Sequence, residues 1–216
     1  MNIVKKIRHA IGRRADLLLA KWRLLNLHWN GIHVDKDVHI APSVVLKDGD
    51  NKGISIGKGC KLEHGVHIET YGSGRIILEA GVDMRANCYV FGDGCLTIGA
   101  DTFFNTGCYI GFLENIYIGS NVLLGPHVCI VDNDHVMERQ DIPIAKQSFV
   151  SSPVIIEDGV WLGSNVTVTK GVTIGAGAVV GAGAVVTRNI PSNAIAVGAP
   201  ARVIAYRGVS SPPPPH

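Results

Sequence analysis

The sequence predicts an all-β prism wound from short strands, and three observations predict it. Aliphatic side chains recur at a basic spacing of six residues from Val34 to Val186. Val and Ile, which favour strands over helices, dominate the chain after residue 30, and only 18% of all residues are charged. Glycine is abundant, at 26 of 216 residues, as a chain that turns every few residues requires.

Residues 1–30 stand apart. Ile3, Ile7, Ile11, Leu18, Trp22, Leu25 and Trp29 recur mostly at spacings of four, the pattern of one apolar helical face. Seven cations and a single acid, Asp16, share this segment, leaving 13 Lys or Arg against 17 Asp or Glu in the rest. A mildly acidic body gives no reason to expect nucleic acid as a partner. The basic amphipathic head has the profile of a helix lying on an anionic membrane surface. A helix covering the open edge of the first coil is the alternative. Leu17 to Ala20 is interrupted by Lys21, so neither a signal-peptide core nor a membrane span is expected there. The Arg13–Arg14 pair is followed by too short and too charged a stretch for an export signal. A cytoplasmic protein, with peripheral membrane contact through residues 1–30, is the expectation.

Residues 31–206 carry the repeat. Its triplets are Val34, Ile40, Leu46; Ile56, Leu62, Ile68; Leu78, Met84, Val90; Ile98, Phe104, Ile110; Ile118, Leu124, Ile130; Ile156, Leu162, Val168; and Ile174, Val180, Val186. Two positions before many of these stands a small or β-branched residue such as Val122, Val128, Val160, Val166 or Val172. A spacing of two on a strand puts both side chains on one face. Gly or Asn between such pairs turns the chain. Three short strands per coil of about 18 residues therefore make a triangular prism.

The five cysteines are odd in number and contain no C-x-x-C, which argues against a disulfide framework or a zinc knuckle and for a reducing compartment. Cys60, Cys88 and Cys108 fall at the small inward position, where packing is their expected role. Residues 131–153 are the longest break in the phase, an unusually polar stretch in which a functional loop is expected. Its His135 follows Asp132 and Asp134, carboxylates expected to orient an imidazole and stabilise its cation. Residues 207–216, ending in SSPPPPH, read as a disordered low-complexity tail. GAGAVVGAGAVV lacks the G-x-G-x-x-G spacing of a dinucleotide loop.

Residues 118–204, from IGSNVLLGPHVCIVDNDH through PVIIEDGVWLGSNVTVTKGVTIGAGAVVGAGAVVTRNIPSNAIAVGAPARVI, resemble the hexapeptide-repeat acetyltransferases. That family includes galactoside, maltose and glycan O-acetyltransferases. The resemblance implies a left-handed parallel β-helix, a rare exception to right-handed crossovers, and a homotrimer with active sites between prisms. It implies acetyl-CoA as co-substrate and His135 as the general base, with Asn105 and Trp161 on the acceptor side. Ser164, Ala182, Thr187, Arg188 and Arg202 match coenzyme positions, Arg188 standing where lysine is common. The implied reaction is transfer of an acetyl group to a hydroxyl of a sugar or glycan precursor. An N-acetyltransferase of a nucleotide-linked amino sugar is the alternative. A metal hydratase resembling the γ-class carbonic anhydrases is a further one, but His127 and His135, or His64 and His67, do not recreate its ligand spacing, and no metal is expected.

Overall fold

The computed structural model describes residues 31–49 and 53–208. The predicted N-terminal helix and residues 209–216 lie outside the described residues. Three parallel sheets run the length of the prism. The first stacks His33–Val34, Ile54–Ile56, Arg75–Leu78, Cys95–Ile98, Asn115–Ile118, Val154–Ile156 and Thr173–Ile174. The second stacks His39–Ile40, Lys61–Leu62, Asp83–Met84, Phe103–Phe104, Leu123–Leu124, Trp161–Leu162, Val179–Val180 and Ala194–Val197. The third stacks Val45–Lys47, His67–Thr70, Tyr89–Gly92, Tyr109–Phe112, Cys129–Val131, Thr167–Val168 and Val185–Val186. Residue partners keep the repeat in phase, Ile118 on Ile156 and Leu124 on Leu162, for example.

Every predicted triplet residue is buried except Ile40 and Leu46 of the first coil, which are half-buried. The small inward positions fill the prism beside them, with Cys60, Cys88 and Cys108 all buried. Their sulfurs donate to backbone carbonyls of Glu79 and Asn105, and burial pushes the Cys60 thiol up. Thr102 occupies an equivalent site because its hydroxyl is satisfied, donating to Gly119 O at 2.7 Å and accepting from Val122 N at 3.1 Å.

Departures from the six-residue step fall at one corner, where the chain passes from the third sheet to the first. Val168 to Ile174 takes 6 residues, whereas Val90 to Ile98 and Ile110 to Ile118 take 8, and Ile68 to Leu78 takes 10. In the eight-residue steps the additions lengthen the flanking strands to four residues and shorten the turn between them, as in Tyr89–Gly92 and Cys95–Ile98. Ile130 to Ile156, at 26, is the extreme case. At the far end Arg202–Tyr206 folds back antiparallel on Ala194–Val197 and covers that strand's free edge. Arg207 Nη1 then donates to Gly177 O at 2.8 Å.

Candidate functional site

The 131–153 insertion is built, and is not an irregular loop. Asn133–His135 pairs antiparallel with Phe149–Ser151, and Ile144–Lys146 forms a single 3₁₀ turn in the excursion between them. His135 lies opposite Phe149, their ring centroids 4.3 Å apart. The hairpin closes through Val136 N to Ser148 O at 2.8 Å and, at its neck, Ser152 N to Asp132 O at 2.8 Å.

Neither neighbouring acid orients the His135 imidazole, contrary to the sequence expectation. Asp132 is fully buried, and its two oxygens accept the Leu113 and Glu114 amides, each at 2.8 Å. It therefore caps the turn of the coil below. Asp134 instead forms an ion pair with Lys170 of the next coil, at 2.7 Å. The physical reason is strand alternation: adjacent side chains point to opposite faces. Asp134 turns to the prism, and His135 turns away from it and is exposed.

The remaining predicted residues divide between two corners on either side of the third sheet. Thr187 and Arg188 follow Val185–Val186 at the corner that also launches the hairpin, and both are exposed. Thr169 N donates to Val186 O at 3.1 Å, which sets Lys170 in the coil neighbouring Arg188. This edge therefore collects His135, Lys170, Thr187 and Arg188.

Asn105, Ser164 and Ala182 lie at the opposite corner, between the second and third sheets. Stacking there is close: a Cβ on Gly163 would stand 2.6 Å from Ala182 N, and Gly183 N donates to Ser164 O at 2.8 Å. At the turn position just past the second sheet, the amide is treated in three ways. The Thr106 amide donates to Asn105 Oδ1 at 2.8 Å, and Pro126 has none. Ser164 and Ala182, like His64 and Ala86 in earlier coils, keep amides without a partner among the described residues. Two unpaired donors one coil apart suit an extended ligand carrying carbonyl groups. Asn105 uses its carboxamide oxygen locally, leaving its Nδ2 hydrogens to offer a ligand. Trp161 precedes this corner on the outer face of the second sheet and is 53% exposed, aligned with Leu123 and Val179 of adjoining coils. Arg202 begins the closing strand beside Ala201, whose amide donates to Val185 O at 2.8 Å, and its guanidinium donates to Ala201 O at 2.9 Å.

Comparison with known proteins fits this architecture. Residues 153–188 match the family described as the hexapeptide repeat of succinyl-transferase. Over 132 residues, 58% of this chain and 66% of the relative, the sequence is 36% identical to the putative lipopolysaccharide biosynthesis O-acetyl transferase WbbJ of Escherichia coli K12. It is 38% identical over 108 residues to the galactoside O-acetyltransferase of the same organism, covering 50% of this chain and 52% of that one. The chain carries the hexapeptide repeat and is similar to acetyltransferases that share it. It spans between half and two thirds of the length of these two curated relatives. Among solved structures, the polysialic acid O-acetyltransferase OatWY shares the fold, with a TM-score of 0.62 and 23% identity over 85% of this chain and 92% of that one.

Within this hexapeptide-repeat protein, sequence reasoning missed Lys170 and misjudged Asp132. Lys170 is 36 residues from Asp134, and its one signal is a cation in the turn TKGV, at the position that Arg188 holds in the next coil. Among the described residues no cluster of three His, Cys, Asp or Glu side chains is arranged to hold a metal ion.

Proposed function

We propose that the chain is an acetyl-CoA-dependent O-acetyltransferase acting on a hydroxyl of a sugar or glycan precursor, with His135 as general base. The observation that carries this reading is the exposed His135, held on a structured hairpin inserted into a solenoid whose curated relatives are named O-acetyltransferases. His135 accepts the acceptor's hydroxyl proton as its oxygen attacks the thioester carbonyl. The tetrahedral intermediate collapses, the C–S bond breaks, and the proton on the imidazole passes to the departing sulfur. The unpaired Ser164 and Ala182 amides suit the pantetheine arm, and the guanidinium groups of Arg188 and Arg202 suit the phosphates. Asn105 Nδ2 and the Trp161 ring serve the acceptor side. The two curated relatives' names favour a hydroxyl acceptor over the amino group of a nucleotide-linked sugar.

The division of these residues between two corners supports a homotrimer, in which His135 of one prism meets the Ser164 and Ala182 corner of the next. Replacing His135 by Ala should lower turnover about 10² to 10⁴-fold while acetyl-CoA binds nearly as before. A thiol-release assay across a panel of sugar acceptors measures this, and unchanged turnover refutes the assignment. The charge split along the chain supports a cytoplasmic protein that contacts an anionic membrane through the basic residues 1–30. Among the described residues no helix is long and apolar enough to cross a membrane. The full chain should sediment with anionic vesicles and detach as salt rises; indifference to vesicles removes the membrane contact.

A further inference from the structure

The hairpin that carries His135 is gripped by its own prism at two points on opposite sides along the solenoid axis. Below, Asp132 receives the Leu113 and Glu114 amides of the preceding coil, and Asn133 Nδ2 donates to its Oδ1 at 3.1 Å. Above, Lys170 of the following coil reaches Asp134. Two acids with one residue between them thus face inward and fasten the strand to coils on either side. The next residue along, His135, is consequently held on the outer face with its ring against Phe149. A hairpin joined to the body only at its neck would leave the imidazole free to swing. The Lys170 bridge adds a second attachment one residue from the base.

We propose that Lys170 is a positioning residue for His135, acting through Asp134, with Asp132 as the fixed point against which the bridge works. This rests on the reading of His135 as the base. The ion pair is partly exposed, with 29% and 45% of the Lys170 and Asp134 side chains accessible, so it contributes little to global stability. Its effect is on where the hairpin stands relative to an acceptor hydroxyl. Displacements of about 1 Å at a reacting group can cost up to about 10²-fold in rate. Lys170 also neighbours Arg188, and a direct contact with a coenzyme phosphate is the competing role for its charge.

The test compares the full-length protein with Lys170→Met, Asp134→Asn and Lys170→Arg in the thiol-release assay, alongside calorimetry with coenzyme A. Hydrogen exchange at the Val136 and Ser152 amides is followed in the same proteins. Lys170→Met and Asp134→Asn should each lower kcat about tenfold, within the range for a misplaced reacting group, with coenzyme A affinity unchanged. Exchange at Val136 should quicken in both, and Lys170→Arg should keep most of the activity and the slow exchange. Wild-type kcat in the first two variants overturns the proposal, as does a loss confined to coenzyme affinity. If the wild-type protein transfers acetyl to no acceptor, the enzymatic reading fails by itself. Exchange at Val136 that is then unaffected by Lys170→Met overturns the bridge independently.

Discussion

Replacing Asp132 by Ala should be among the most damaging single changes outside the aliphatic core, and the cost follows from what the carboxylate holds. It accepts two backbone amides at 2.8 Å and one side-chain amide at 3.1 Å in a position with no solvent exposure. A hydrogen bond to a charged group contributes about 1.5 to 3 kcal/mol, and leaving its buried partner unpaired costs about 1 to 3 kcal/mol. Leu113 is itself exposed, so water can reach part of the vacated site, which places the total near the lower end. A loss of about 3 kcal/mol is expected for Asp132→Ala. Asp132→Asn should lose about 1.5 to 3 kcal/mol, because its carboxamide oxygen can serve one amide while its NH₂ group faces the other. Urea unfolding followed by tryptophan fluorescence and circular dichroism measures both variants, coincidence of the probes being checked because large solenoids can depart from two-state behaviour. A loss below about 1 kcal/mol for Asp132→Ala would refute the assignment of this carboxylate as a structural cap. The ordering matters equally, since an Asn variant worse than Ala would contradict the bonding described.

Two further outcomes are expected. Arg188→Ala and Arg202→Ala should each weaken coenzyme A binding by about 1 to 3 kcal/mol in calorimetry, as for loss of a charge-assisted bond, while the acceptor's apparent affinity hardly moves; two variants that bind like wild type remove these residues from the donor site. The His67 hydrogen bond to Glu69, at 2.7 Å, together with nearby Lys47, holds the Glu69 carboxyl below its ordinary value of 4.5. A depressed folded-state value stabilises the protein above the unfolded one and loses that contribution as pH falls through the folded one. Glu69→Gln should therefore cost less than about 1 kcal/mol at neutral pH, given solvent screening, and the difference from wild type should vanish in acid; a difference that grows on acidification contradicts the sign.

The solenoid was legible because its information is periodic. Ile118, Leu124 and Ile130 announce three strands that need no knowledge of distant contacts, and the same phase resumes at Ile156. The hairpin was legible only as an interruption, since Asn133–His135 finds its partner fourteen or more residues later, in Phe149–Ser151. Asp132 and Asp134 were misread because closeness in sequence suggests closeness in space, and an extended backbone reverses that inference for adjacent side chains. Lys170 left almost no trace, its significance arising from the stacking of one coil on another. Ser164 and Ala182 matched a known pattern, but what each offers a ligand is an unpaired amide, a property of the backbone that residue identity does not encode.

The concentration of added residues at one corner has a consequence for how such a protein can change. A length change in the chain at that edge shifts no residue in the coils before or after it, because each coil re-enters the first sheet in register. Ile116 pairs with Val154 across the whole hairpin as readily as Leu96 pairs with Ile116 across a short turn. The edge therefore works as a mount on which appendages of differing length can be exchanged, while the columns of stacked aliphatic residues remain a separate part. Redesign of the acceptor preference should begin with grafts between Val136 and Ser148, which spare Asp132, Asp134 and His135 within the largest insertion the fold has absorbed.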